Sequence, residues 1–315
     1  MFEIIREPDT EKLMRHAAWE RQQRAIHAFL KVQRRTKKQL TASHFTAAAL
    51  MGVATTKEDS GIYVSVKQHE SRYRMKGVRF KTWNNADTTG DAIEIAGILC
   101  SSPEATFAQL SREISFEDAI ILGDSLVCRD SMLRRTNKKS IENYLRDCLP
   151  FQNRNKCLRA LSRVRENTDS PAETKMRIML CRYGFPEPEI NYRINLRSSY
   201  YLLDMAYPEY QIGIEFNGQH HHHQIAEDWE RFNTLQSLGW QIFTAEKDNL
   251  GSPALDLRFC DDLERAYRRA GDTGFSHLER PMSMLQLCDR KHQNKKNLHT
   301  QTGAFKNRTA EYQRS

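Results

Sequence analysis

Long apolar runs are missing from this 315-residue chain. No stretch approaches the roughly 18 consecutive hydrophobic residues of a membrane-spanning helix, so none is expected. The opening residues, MFEIIREPDT, lack a basic head followed by an apolar core, and no secretory signal is expected either. Cysteines stand at 100, 128, 148, 157, 181, 260 and 288, and none forms a C-x-x-C pair. A disulfide framework and a zinc ribbon are therefore not expected, which points to a reducing, cytoplasmic setting with no membrane partner. Apolar residues are scarce only in runs. Hydrophobic residues make up 39% of the chain and aromatics 9%, enough to build cores, and the length suits two domains.

Charge is unevenly divided. Residues 1–165 carry 29 Lys+Arg against 19 Asp+Glu, residues 166–270 carry 11 against 17, and residues 271–315 carry 8 against 4. The three segments stand at +10, −6 and +4. Basic segments attract polyanions because neutralised phosphates release counterions, although ordinary solvated faces carry the same residues. The acidic middle invites another explanation, and carboxylates that hold a divalent metal are one.

The first segment reads as mostly helical with a small sheet. Apolar spacing predicts a helix over 10–38, with a basic surface that includes Arg15, Arg21, Arg24 and Lys31 and ends in Arg34, Arg35, Lys37 and Lys38. That last cluster is the expected DNA-binding surface. Residues 62–67 and 77–83 alternate like strands around a polar loop bearing Lys67, Arg72, Arg74 and Lys76. Ser102-Pro103 opens a helix, and further helices are expected at 116–128, 139–148 and 153–165. In the second segment Ser170-Pro171-Ala172-Glu173 has the form of a capping box before a helix that Gly184 and Pro186 end. Strands are expected at 189–196, 200–207, 211–218 and 240–245, and helices around 225–238 and 254–270. The order is α-β-β-β-α-β-α. Residues 271–315, rich in Lys, Asn, Gln and His, read as a largely disordered basic tail.

Two carboxylates stand out. Asp204 lies in the apolar strand YYLLDMAY and Glu215 in the apolar strand IGIEF. A carboxylate in such a strand needs a partner. If the two strands pair antiparallel, Asp204 and Glu215 come close and repel unless a cation intervenes. Mg²⁺ suits that position, since it takes oxygen ligands from one or two carboxylates plus waters and phosphate. Salt bridges to Arg193 or Arg231 would answer the same need. The run His220 to His223 cannot all reach one metal, because neighbours on an extended segment point in opposite directions. One working histidine in a polar loop is the simpler reading.

Six short motifs keep order and spacing in the second half: SPAET (170–174), YGFPEP (183–188), LDMAYP (203–208), IEFNGQHH (214–221), DWER (228–231) and LQSLGW (235–240). Together they resemble the Vsr-like nuclease domain of actinobacterial proteins, which has a PD-(D/E)XK-type fold. The upstream half resembles the AbiEi-like antitoxin domain, through SHFTAAALMG (43–52), KGVRF (76–80) and SSPEAT (101–106). The resemblance implies an AbiEi-like DNA-binding domain over 1–165, a Vsr-like endonuclease domain over 166–270 and a tail over 271–315. It implies Mg²⁺ or Mn²⁺ on Asp204 and Glu215, DNA as partner, and Glu173 and His221 as further catalytic residues; a homodimer is left open. Asp228 and Arg231 match a helix pair of that family, but a surface ion pair is the simpler explanation of them. Glu173 could complete the capping box, serve the site, or do both. Asn217 departs from the pattern, standing where the family usually has Asp and the general motif has Lys. An amide orients a water by hydrogen bonding but cannot take up its proton. The alternative implied is a non-cleaving DNA-binding regulator with a degenerate nuclease domain.

Overall fold

The computed structural model describes residues 3–4, 8–56, 59, 61–86, 90–196, 199–217, 225–246 and 251–289. The architecture is mixed α/β, with helices interspersed among two five-stranded sheets. No helix among the described residues is long and apolar enough to cross a membrane.

The chain opens with β1 (Glu3–Ile4) and α1 (Pro8–Gln33), followed by β2 (Thr41–Ala42) and α2 (His44–Leu50). Then come β3 (Ile62–Val66), β4 (Val78–Thr82), β5 (Ala92–Ile95) and β6 (Ile98–Ser101). The helix expected over 10–38 stops at Gln33, and the side chain of that residue explains why. Its amide nitrogen donates to Lys38 O at 2.8 Å and its amide oxygen accepts from Leu40 N–H at 2.9 Å, closing a turn around Thr36. The cluster Arg34, Arg35, Lys37 and Lys38 therefore sits on a turn, not on a helix face. Nor is the rest of the helix a free basic surface. Arg15 pairs with Asp130 at 2.7 Å and Arg21 donates to Gly52 O at 2.6 Å. Gly52 has φ of 73°, and a Cβ there would meet Ala18 O at 3.0 Å, so the close approach of α1 to the end of α2 needs a glycine.

The first sheet is larger than expected, with strand order β4-β3-β2-β6-β5. Its centre, β2, is only two residues long and carries no periodic signal. The β5–β6 hairpin turns through Ala96 and Gly97, both with positive φ. Four helices follow: α3 (Pro103–Ser111), which packs on β6, and α4 (Phe116–Leu126), α5 (Lys138–Asp147) and α6 (Arg154–Arg163), which pack around α3. Ser102, Ser115 and Asn137 start three of them by accepting a backbone N–H three residues on.

The second half follows the expected order: α7 (Pro171–Arg182), β7 (Glu189–Asn195), β8 (Ser199–Tyr207), β9 (Ile212–Asn217), α8 (Ile225–Ser237), β10 (Gln241–Glu246) and α9 (Pro253–Arg269). β8 runs antiparallel to β7 and β9, β9 is parallel to β10, and β1 joins β8 in parallel at Ser199 and Tyr200.

A packed helix follows directly on the expected 165/166 boundary. Met176, Met179 and Leu180 of α7 enter the core of the second sheet, while Ile178 and Cys181 enter the core of the first. Between these faces lies a buried polar network. Arg177, 1% exposed, donates to Asp124 at 2.7 Å and to Glu187 at 2.7 Å. Thr174 Oγ donates to the same Asp124 at 2.8 Å, and Arg165 donates to Glu187 at 2.6 Å. Burial works against the charge on Glu187, but Arg165 and Arg177 outweigh it and hold its carboxyl below the usual range.

The segment read as a disordered tail is folded as far as 289. It contains α10 (Met284–Leu287), and Leu287 and Cys288 are buried in the first core. Arg163 donates to Leu287 O at 2.6 Å and Arg159 to Leu285 O at 2.8 Å, pinning the carbonyls at the end of that short helix. Composition hid this because a few apolar residues are enough when they fill an existing core. Residues 290–315 lie outside the described residues.

Two histidines give the halves opposite responses to acid. His44 is fully buried beside Glu113, 3.5 Å away, and burial depresses its pKa despite that neighbour. Burial also opposes the charge of Glu113, but the neighbouring His44 and the hydrogen-bonded Lys81 bring it down to about 2. For His277, burial lowers the pKa, but its hydrogen bonds to Leu278 O and Asp261 and the nearby Glu264 raise it overall. A depressed histidine costs stability as pH falls through 6.5, whereas a raised one contributes stability in acid and loses it as pH rises. His44→Gln should therefore reduce the loss of melting temperature between about pH 7.5 and pH 5, and His277→Gln should steepen it. The stability from Glu113 is present above its unfolded pKa and goes only as pH falls toward 2, outside that window. Thermal melts of the three proteins at both pH values check the signs.

Candidate functional site

β8 and β9 pair through Tyr207↔Ile212, Ala206↔Gly213 and Met205↔Ile214. One step further, the same register sets Asp204 opposite Glu215. There the ladder gives way. The Phe216 N–H is accepted by Asp204 Oδ2 at 2.8 Å, so a side chain stands where a strand carbonyl would otherwise be. On the other flank the β7 ladder passes from Ile190↔Met205 to Tyr192↔Leu203, with Asn191 between them at φ 50°. Asparagine is among the few non-glycine residues that tolerate this left-handed conformation. Asp204 thus sits where the sheet loosens on both sides, and beyond it β8 and β9 separate as a fork.

Arg231 of α8 reaches into the fork. Its Nη2 donates to Leu202 O of β8 at 2.9 Å and pairs with Glu215 Oε1 of β9. The guanidinium lies 5.5 Å from the centroid of Tyr201, and its Nε is buried without a hydrogen-bond partner among the described residues. The cation that two facing carboxylates require is, in this arrangement, a guanidinium. Arg231 therefore forms one of the two salt bridges that the sequence left as the alternative to a metal, while Arg193 stacks on Tyr200 at 3.9 Å.

Glu173 is 6% exposed at the start of α7. Its N–H donates to Ser170 Oγ at 3.2 Å, and its Oε2 accepts from Asp169 N–H at 3.0 Å. This is the capping arrangement with one change: the carboxylate takes the N–H of the residue before the cap. Asn217 ends β9 opposite Glu246 of β10. The side chains of Asn217 and Asp228, and the whole of His220 to His223 including His221, lie outside the described residues.

Among the described residues no group of three or more His, Cys, Asp or Glu side chains could hold a metal ion. The donor chemistry of Asp204 and Glu215 still fits Mg²⁺, which needs only one or two carboxylates when waters and a phosphate complete its shell. Arg231 already pairs with one oxygen of Glu215, so a metal there competes with that guanidinium for the carboxylate's charge. The basic cluster lies on the other half of the molecule. Arg35 Nη1 donates to Lys76 O at 2.8 Å, Lys38 Nζ lies 5.3 Å from the Tyr73 ring, and Arg34 and Lys37 are exposed.

Fold and site together define a mixed α/β protein with two carboxylates and an arginine at a strand fork. Two proteins of Mycobacterium tuberculosis are similar to it: Uncharacterized protein Rv2248 of strain H37Rv and Uncharacterized protein MT2308 of strain CDC 1551. Each is 26% identical over 197 residues, covering 56% of this chain and 66% of the relative, just under two thirds of its length. No family model and no solved structure matches the chain.

Proposed function

We propose that the chain is a metal-dependent DNA endonuclease, with a Vsr-like, PD-(D/E)XK-type second half and an AbiEi-like first half that holds DNA. The observation that supports this best is the fork, where Asp204 and Glu215 come from adjacent strands of an α-β-β-β-α-β-α unit and the sheet opens beside them. Mg²⁺ or Mn²⁺ bound there would stabilise charge on the scissile phosphate and acidify the attacking water. Asp204 and Glu215 are the residues to hold it. Asp204 is oriented by the Phe216 N–H, and Arg231 neutralises Glu215 until the metal arrives. His221 is the candidate proton donor or acceptor, because an imidazole titrates near neutrality. Glu173 is held at the start of α7 by the Asp169 N–H on its Oε2, which supports a capping role beside any role in the site.

A second reading is a non-cleaving DNA-binding regulator whose nuclease half is scaffold. The Arg231–Glu215 pair favours it, since it satisfies the site with no metal, and Asn217 favours it as well. A plasmid-nicking assay with Mg²⁺, with Mn²⁺ and with chelator separates the two. The endonuclease nicks with metal and stops with chelator; the regulator retards plasmid and never nicks it. Asn217→Asp adds a negative charge beside the two carboxylates, and we expect it to speed cleavage and lower the Mg²⁺ concentration needed. If it leaves a silent protein silent, the regulator reading stands.

A further inference from the structure

Away from the fork, the first sheet carries a feature that the nuclease chemistry does not use. β3 and β4 are parallel neighbours, so the chain must travel back along their length between Val66 and Val78. Such a return ordinarily takes a helix. Here residues 67–77 manage it with a single 3-10 turn, His69–Ser71. The connection and β4 line an open groove of about 850 Å³.

The groove has two kinds of wall. Its rim is basic: Arg72, Arg74 and Lys76 are exposed, and none of the three is in an ion pair among the described residues. A fourth cation, Arg79, is held by Asp59 at 2.6 Å. Its floor is aromatic and apolar, with the rings of Tyr73 and Phe80 4.5 Å apart and Met75 and Val78 beside them. The Tyr73 hydroxyl is buried and has no hydrogen-bond partner among the described residues. From the turn after α1, Arg35 and Lys38 converge on the same place, one on Lys76 O and the other over the Tyr73 ring.

We infer that this groove binds unpaired nucleotides of a nucleic-acid strand, with phosphates on Arg72, Arg74 and Lys76 and a base on the Tyr73–Phe80 floor. The inference rests on the reading that the chain handles nucleic acid, and names which form of it the first half takes. A duplex offers phosphates to the rim but keeps its bases stacked inside, out of reach of an apolar floor. A plain polyanion also leaves the floor unused. An unpaired nucleotide carries both chemistries, the combination that single-strand grooves exploit. The volume falls within the roughly 300–1,000 Å³ of small-molecule sites, enough for a nucleotide or two. Lys38 is long and exposed, so it can leave the ring face as a base arrives and stay beside the phosphate.

The test uses the full chain, with chelator present so that cleavage does not interfere. A labelled single-stranded oligonucleotide and the duplex of the same sequence are titrated by fluorescence anisotropy at several salt concentrations, with inorganic polyphosphate as competitor. The single strand should bind more tightly than the duplex. Replacing Arg72, Arg74 and Lys76 together by Ala should weaken it tenfold or more. That triple change should also flatten the salt dependence by about 2, at roughly 0.7 per lost contact to a single strand. Tyr73→Leu, which keeps an apolar floor, should cost the single strand about fivefold or more and leave the duplex unchanged. Circular dichroism melts confirm that both variants fold. Duplex binding as tight as single-strand binding overturns the inference. So does an unaltered salt slope in the triple variant, or polyphosphate competing as well as the oligonucleotide while Tyr73→Leu is silent. Binding of this kind without nicking overturns the endonuclease reading alone, and nicking that is indifferent to the groove variants overturns this one alone.

Discussion

If the fork is the nuclease site we propose, Asp204→Asn and Glu215→Gln should each lower Mg²⁺-dependent cleavage by a factor of about 10²–10³ or more, the scale seen when a group that stabilises transition-state charge is removed. Their stabilities should part company. Two bare carboxylates face to face would repel, and neutralising either would then raise the metal-free melting temperature. The fork is not built that way, because Arg231 already neutralises Glu215. Glu215→Gln weakens the main partner of a guanidinium whose Nε is already unsatisfied, so metal-free stability should fall by about 1–3 kcal/mol. In Asp204→Asn the amide oxygen can still accept from Phe216 N–H, and the melting temperature should hardly move. Nicking assays paired with metal-free melts read both effects. Parental cleavage rates in both variants would refute the assignment of the site.

Arg177→Met should destabilise the whole chain by about 3–5 kcal/mol, the cost of leaving buried carboxylates without their cation. Asp124 is 1% exposed and takes Arg177, Thr174 and the Arg165 N–H as donors, so the loss leaves its charge in a dry site. Asp124→Leu combined with Arg177→Met should cost clearly less than the sum of the single changes, since replacing a whole buried pair by apolar groups is tolerated better than breaking it. Because the network spans α4, the segment after α6, α7 and the loop before β7, urea unfolding of the parent should be a single transition. A loss below about 1 kcal/mol in Arg177→Met, or two separate transitions in the parent, would disprove this account of how the halves are joined. The same packing decides how DNA binding must be measured. A fragment cut at 165 would lose Ile178, Cys181, Leu287 and Cys288 from its core, so binding is assigned to the first half by variants of the full chain.

Much of the second half was legible in order. The Ser170 cap, the apolar runs YYLLDMAY and IGIEF, and the helix expected around 225–238 rest on local signals, and each marks an element that the structure contains. The placing of Asp204 opposite Glu215 was legible too, because a tight break between two strands fixes an antiparallel register within a few residues. What the neighbours of those carboxylates do was not. Arg231 lies 16 residues from Glu215 on a different element, and sequence alone placed a metal slightly ahead of its ion pair.

The sequence by itself determined the elements from α7 to α9, since caps, glycines and apolar periods act over a few residues and need nothing distant. Tertiary structure alone decided three things: that a two-residue strand centres the first sheet, that α7 and α10 serve the first core as well as following it, and that a short parallel crossover lifts Arg72, Arg74 and Lys76 above Tyr73. In each case the stabilising contacts join residues far apart in the chain, and such contacts leave no periodic trace in either partner.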